Sequence, residues 1–397
     1  MDHDILVSGG GIAGLTATAA FAQAGFNVIC VDPAKPVNVR DAQGADLRST
    51  AFLQPARALL EKVGLWTRLA PHAQPLQIMR IIDAGGPEPE ARMSKEFDAA
   101  DISDHPFGWN LPNWLLRREM AAHLETLPNV TYKTGVGART LFTRTAEARV
   151  GLSDSTRVSA RLVIAADGRG SSMREAAGIN VSTTRFGQKA LAFAVTHETP
   201  HENVSTEIHR TGGPFTLVPL PDHEGRPSSA IVWMEEGPKA KALYEMSEDS
   251  FEVAMNTRSC GVLGLLKLAS QRTIWPIISQ HADRLSSERL ALIAEAAHVL
   301  PPIGAQGLNM SLSDIRALRD LAIARPEGLG DAAMLDAFHK ARFNDIRLRE
   351  AGITLLNQTS MLSAAPLRDA RAAGINALYS FAPLRKSIMQ MGLGAKG

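Results

Sequence analysis

Residues 4–32 read DILVSGGGIAGLTATAAFAQAGFNVICVD, and this stretch decides the fold. DILVS (4–8) is a short apolar run of the kind that forms a strand buried on both faces. Glycines follow at 9, 11 and 14, and Leu15–Ala24 reads as a helix closed by Gly25. NVICV (27–31) is a second apolar strand, ending at Asp32. Strand, crossover helix and strand make a parallel βαβ unit. The G-x-G-x-x-G between strand and helix has a mechanical meaning. Gly9 permits the tight turn, Gly11 lets a pyrophosphate approach the backbone, and Gly14 lets the helix pack closely on the sheet. The helix start, with Ile12 and Ala13, offers unpaired N–H groups and a partial positive charge to phosphates. Asp32 stands where an acid accepts bonds from ribose hydroxyls. An acid there suits a ribose without a 2′-phosphate, so FAD and NAD fit better than NADP. These residues alone do not choose between the two.

The remaining composition narrows the class. At 397 residues the chain exceeds one ordinary core, so two or more domains are expected. With 45% hydrophobic and 21% charged residues, it reads as an ordinary globular protein. A formal net charge of +1 argues against nucleic acid as a partner. Cys30 and Cys260 are too few for a disulfide framework, which fits a reducing cytoplasm. MDHDILV lacks the basic start of a signal peptide, and no run of 18 apolar residues suggests a membrane span.

Along the chain, helical patterns are expected at about 52–63 and 117–126, and loop from about 83 to 108. RLVIAA (161–166) returns to strand. From about 186 to 235, alternating strands punctuated by Thr211-Gly-Gly-Pro214 read as an antiparallel sheet, and helices dominate after about 311.

Two further stretches carry chemistry. LVIAADGRGSSMREAAG (162–178) runs from a strand into Asp167-Gly168, then a short helix capped by Ser171 or Ser172 and closed by Gly178. ALIAEAAHVLPPIGAQGLN (291–309) opens as a strand and ends in a Gly-rich turn before a helix. Its Glu295 and His298 have the spacing of a helix-borne metal pair. A di-iron centre needs a second such pair and more carboxylates, and none occurs, so no metal is expected. His298 reads as structural, as do His197 and His209.

Taken together, GGGIAG, ADGRGSSMREAAGI and EAAHVLPPIGAQGLN resemble the flavoprotein aromatic hydroxylases, single-component FAD monooxygenases of p-hydroxybenzoate-hydroxylase-like fold. Within them the chain is most similar to the hydroxylases of ubiquinone biosynthesis (UbiH/UbiF/VisC type). Matching segments run nearly end to end: DLRSTAFLQPARALLEKVGLW (46–66), LLRREMAAHL (115–124), the strands of 186–222, AIVWMEEGPKA (230–240) and the tail 367–394. The resemblance implies an α/β fold: a Rossmann-like FAD-binding domain, an inserted antiparallel substrate sheet and a helical C-terminus. It divides the chain into FAD-binding parts at 1–75, 109–185 and 281–340. Substrate-domain parts fall at 76–108 and 186–280, and a helical region at 341–397. It assigns the ADP part of FAD to Gly9, Gly11, Ile12, Ala13, Gly14 and Asp32. Arg48 and Arg117 become FAD contacts. Asp167 and Gly168 fall near the pyrophosphate and ribityl chain, and Glu295, Pro302, Gly307, Leu308 and Asn309 line the ribityl chain and ring. Two departures stand out. The family has Gly-Asp or Gly-Asn at Ala294-Glu295, and its Ala-Gly-Gln-Gly order is here Gly304-Ala305-Gln306-Gly307.

The implied reaction uses NADH or NADPH to reduce FAD. Reduced flavin and O2 give a C4a-hydroperoxide, whose distal oxygen passes to a phenolic ring, in a substrate expected to carry a polyprenyl chain. Backbone N–H groups at Gly307–Asn309 are expected to hold negative charge on reduced flavin. Leu217, Pro219 and Trp233 are candidates to face the substrate, with core packing as the competing role. No catalytic base is assigned. The alternatives are a hydroxylase of a small soluble aromatic acid, a non-catalytic flavin-binding accessory protein and, third, a plain NAD dehydrogenase. LYSFAPLRKSIMQM (378–391) mixes apolar residues with Arg385 and Lys386, so it reads as a packed helix or one lying on a membrane surface. A cytoplasmic protein with peripheral contact at the inner membrane face, self-association or membership of a biosynthetic complex is expected.

Overall fold

The computed structural model describes residues 2–40, 42–86, 88–361 and 365–393, without the side chains of 365–368, 371, 391 and 393. β1 (His3–Ser8) and β2 (Val28–Asp32) lie side by side and parallel, joined by α1 (Ile12–Gln23). Both strands are apolar without alternation because both their faces are covered. The helix begins three residues earlier than its apolar run, at Ile12, so Gly14 lies in its first turn. β3 (Val130–Thr134) pairs with β2, β4 (Arg157–Ala165) with β1, and the short strand Leu290–Leu292 with β4, all in parallel. Ser8, Val31, Ala165 and Leu292 are therefore in register at one sheet edge. The segments that leave that edge are GGGIAG, ADGRGSS and IAEAAH. Ligands bind in such sheets at the carboxyl ends of the strands.

The second sheet has nine strands. Its centre is β5 (Val181–Thr196), β6 (Pro214–His223), β7 (Arg226–Glu236) and β8 (Thr273–Ala282), antiparallel in the order β8-β5-β7-β6. One face packs Leu191, Phe193, Phe215, Leu217, Ile231 and Trp233 under helices Gly237–Glu245 and Glu248–Ser259. The stretch 83–108 is not all loop. Met93–Asp98 is a strand that pairs with Ile78–Asp83 at the sheet's edge, where one side faces solvent and charges are tolerated. The helix expected at 52–63 is preceded by a strand, Ser49–Leu53, and starts at Gln54 with Pro55 in its first turn. The helix expected at 117–126 spans Asn113–Leu124.

The described residues end in helices. α2 (Gln306–Ala324) and α3 (Ala332–Ser360) pack on the first sheet's core through Ile315, Leu318, Leu335 and Phe338. α4 (Ala365–Ser380) and α5 (Ala382–Leu393) follow. The tail packs against the edge strand: Tyr379 meets Phe97 edge-on at 5.5 Å, and Arg385 lies 3.2 Å from Asp101. Among the described residues no helix is long and apolar enough to cross a membrane.

Candidate flavin site

The glycine turn is built for something that is not protein. Gly9 has φ +108°, and a Cβ there would lie 2.3 Å from the Ala166 carbonyl oxygen. A Cβ on Gly14 would lie 1.8 Å from the Gly9 oxygen. These two glycines are required by the apoprotein. Gly11 differs: a Cβ there meets nothing within 4 Å among the described residues. Its glycine keeps open the space into which the α1 N–H groups point. Asp32 anchors the turn, accepting from Gly10 N at 2.5 Å and from Ala34 N at 2.8 Å. Each carboxylate oxygen retains a second acceptor direction for a ribose hydroxyl.

Three buried polar atoms around this edge have no partner among the described residues: the Tyr132 hydroxyl, Arg117 Nε and Asp167 Oδ1. Buried polar atoms are normally satisfied, so a cluster of orphans marks the place of a polar ligand. Burial pushes the Tyr132 hydroxyl well above the ordinary phenol range, which keeps it a neutral donor. Donor, cation and acceptor at one strand edge fit a dinucleotide.

Asp167 Oδ2 accepts from Ser172 Oγ at 3.2 Å and Met173 N at 3.3 Å, and Ser171 caps the short helix Ser172–Ala176 by accepting from Arg174 N. Arg174 was not among the expected site residues. Its buried guanidinium donates to Ala296 O at 3.0 Å and Arg169 O at 2.9 Å, tying the second motif to the third. Its sequence signal was a cation inside the short helix read between Ser171 and Gly178.

In the third motif, Ala294–Ala297 forms one helical turn. Ala294 is buried with φ +53°, the left-handed region that favours glycine, so the glycine of the family pattern is replaced at real cost. A left-handed L-residue costs about 1–2 kcal/mol, and the added freedom of an unfolded glycine offsets about 0.5–1 kcal/mol of any relief. Ala294→Gly is therefore expected to leave the thermal midpoint at or slightly above wild type. Ala294→Val, β-branched in that region, should lower it by several degrees. Equal midpoints for the two variants would show that the left-handed turn is not held.

Glu295 is exposed, and its charge adds to that of Asp46 in raising the pKa of Arg48. Arg48 grips Asp46 through two bonds, 2.8 and 2.7 Å, and lies 5.5 Å over the Trp275 ring. Burial raises the Asp46 carboxyl, but the Arg48 bonds outweigh it and leave it below the usual range. Pro302 is exposed on the following loop. α2 then starts at Gln306 behind left-handed Ala305 with no side-chain cap, leaving its first N–H groups, Gly307 and Leu308 included, for an anion. The Asn309 side chain accepts from Leu53 N and donates to Ala51 O and Ala305 O, lashing α2 to Ser49–Leu53. His298 is buried against Asp314, Nε2 to Oδ2 at 2.7 Å.

Known proteins match this arrangement. A family model described as an FAD binding domain matches residues 2–347. The ubiquinone hydroxylase UbiL of Rhodospirillum rubrum is 32% identical, over 98% of this chain and 89% of the relative. The 3-demethoxyubiquinol 3-hydroxylase of Escherichia coli is 26% identical over 98% of each chain. In fold, the p-nitrophenol 4-monooxygenase PnpA of Pseudomonas putida superposes with a TM-score of 0.80 at 18% identity, covering 100% of this chain and 99% of that one. The chain belongs to the ubiquinone-hydroxylase family of FAD-dependent monooxygenases.

In this hydroxylase the strands of the nine-stranded sheet present two unlike faces. Leu217 and Trp233 belong to the core beneath the two helices, and Pro219, two residues on from Leu217, points the same way. The other face carries Ala190, Ala192, Ala194, Ala230, Val232 and Val218, opposite one another across β5, β7 and β6. Trp275 of β8 and Ile303 of the flavin-side loop pack against its Ala190–Met234 end. Strand alternation reveals two faces but not which one meets a partner.

Proposed function

We propose that this chain hydroxylates a phenolic ring bearing a polyprenyl chain, in ubiquinone biosynthesis, using O2 and NADH or NADPH. The observation that carries this reading is the alanine-rich sheet face beside Trp275 and Ile303, buried among apolar side chains in the free protein. Its small apolar side chains would accommodate a ring and its hydrocarbon extension next to the edge where the three motifs converge. A small aromatic acid would want a free cation there. Arg48, beside Trp275, is already held by Asp46.

Gly11 and the α1 start would hold the pyrophosphate, Asp32 the ribose, and Arg117, Tyr132, Asp167 and Glu295 the flanking polar groups. Bound there, FAD supplies the redox chemistry, taking electrons from NAD(P)H and activating O2. The chain's own contribution is positional. The uncapped start of α2, with the Gly307 and Leu308 N–H groups, would hold negative charge on the cofactor. The apolar side chains beside Trp275 and Ile303 would exclude water from the substrate ring. We divide the chain into cofactor parts at 1–75, 109–185 and 281–340 around the substrate sheet, with the helical region from 341. Peripheral lipid contact falls to the start of α5, where Leu384 and Lys386 are exposed after the exposed Phe381 that precedes the helix.

The test is NAD(P)H oxidation by the FAD-loaded protein with two substrates, a prenylated phenol and a short phenolic acid. Faster oxidation with the prenylated ring, accompanied by a hydroxylated product, is expected. Preference for the acid would replace this reading with that of a soluble-acid hydroxylase. No stimulation by either would point to an accessory protein. Quinone analysis of cells lacking the protein then identifies the accumulated precursor.

A further inference from the structure

The flavin-side loop between His298 and Gln306 is held at both ends by one chain of side chains. His298 bonds Asp314 of α2 at 2.7 Å, and Asp314 Oδ1 accepts from Arg342 Nε of α3 at 2.8 Å. Arg342 Nη1 reaches Asp345 at 2.6 Å, and Asp345 accepts from Arg349 Nε at 3.1 Å. Arg349 Nη1 donates to Gln306 Oε1 at 3.3 Å. One face of α3 thus carries a strut from the buried start of the loop to its far end.

Gln306 has a second set of contacts. Its Nε2 donates to Gly304 O at 3.0 Å, inside the loop, and to Gly392 O at 3.2 Å, in the last turn of α5. At its other end α5 is fastened to the substrate sheet. Arg385 pairs with Asp101 and lies 4.9 Å over Tyr379, whose ring packs on Phe97. One amide therefore joins three bodies: the loop, the strut on α3, and a helix that reports the position of the substrate sheet's edge.

We propose that Gln306 is a positioning residue that couples the seating of the C-terminal helix α5 to the geometry of the cofactor loop. Resting on the FAD reading above, the coupling is reciprocal by thermodynamic linkage. A loop fixed by bound FAD holds α5 down, and a seated α5 tightens FAD. The amide is suited to this task because it donates to two carbonyls while accepting from a guanidinium. A carboxylate at this position keeps the guanidinium contact but loses both donors.

The coupling is read without turnover. Trypsin cleavage after Lys386, exposed on α5, is followed by mass spectrometry with and without saturating FAD. FAD is expected to slow cleavage of the wild type roughly fivefold or more. Gln306→Ala and Gln306→Glu should each still bind FAD, by flavin fluorescence, yet lose that protection. Arg385→Gln, which frees α5 without touching the loop, should weaken FAD binding by a factor of roughly five. Protection that persists in both Gln306 variants overturns the coupling, as does FAD that binds the wild type without slowing cleavage. A wild type that binds no FAD overturns the flavoprotein reading itself, and the fluorescence titration identifies that case directly. If Gln306→Ala fails to fold, Gln306→Glu and Arg385→Gln decide.

Discussion

Gly11→Val should remove FAD binding while leaving the apoprotein folded; Gly14→Val should damage the fold itself. The two glycines belong to one motif but answer to different neighbours. Gly11 has φ −71° and ψ 175°, an extended conformation open to any residue, with open space where its Cβ would stand. Replacing it costs the free protein at most about 1 kcal/mol, the penalty of a poorer N-cap. The same side chain projects into the space reserved for the pyrophosphate, and about 100-fold or more of FAD affinity, near 2.7 kcal/mol, should go. At Gly14 the added Cβ would lie 1.8 Å from the Gly9 oxygen, which is backbone and cannot swing aside. Helix and turn must part, at about 3 kcal/mol or more. Thermal denaturation of the two apoproteins, followed by FAD titration, separates these effects. Wild-type affinity in Gly11→Val would falsify the placement of the pyrophosphate over that residue.

That contrast also explains how much was legible in the sequence. The βαβ start could be read because the left-handed turn at Gly9 and the contact of Gly14 with the Gly9 oxygen both fall within a few residues of chain. The convergence of the three motifs follows from parallel pairing, which sends every following loop out of the same edge. The substrate face was less legible. Of Leu217, Pro219 and Trp233, for which core packing competed with a place at the substrate, Leu217 and Trp233 lie in the core beneath the two helices. Leu191, Phe193, Ile231 and Trp233 fill the core beneath the helices, while Ala190, Ala192, Ala194 and Ala230 put small side chains, also buried, on the opposite face. Alternation was visible in AIVWM and ALAFAV; the assignment of faces needed the helices that cover one of them. Met93–Asp98 was hidden for another reason. Edge strands carry charge and lack a continuous apolar run. Arg174 was missed because its partners are carbonyl oxygens, which no side-chain pattern announces.

The largest loss of stability is expected at Arg342. The spacing of Glu295 and His298 suggested a metal pair, but His298 spends its Nε2 on Asp314, and the other Asp314 oxygen receives Arg342. The side chains of His298 and Asp314 are each 1% exposed, and that of Arg342 is 9% exposed. Burial disfavours the charged guanidinium, and the Asp314 carboxylate beside it more than compensates, raising its pKa above the ordinary arginine value. Arg342→Met fills a similar volume but leaves Asp314 buried with only the imidazole for a partner. Such a broken buried pair costs about 3–5 kcal/mol. Replacing the set together, as His298→Phe with Asp314→Leu and Arg342→Met, should recover most of that loss. The desolvation cost then disappears along with the pairing. Urea denaturation of the single and triple variants tests the argument. A single-variant loss below about 1 kcal/mol would mean that water reaches Asp314. A triple variant as unstable as the single one would mean that shape, not charge, holds the loop between His298 and Gln306. If the triple variant recovers stability but binds FAD more weakly, the charges serve to set the loop's geometry, and the fold can do without them.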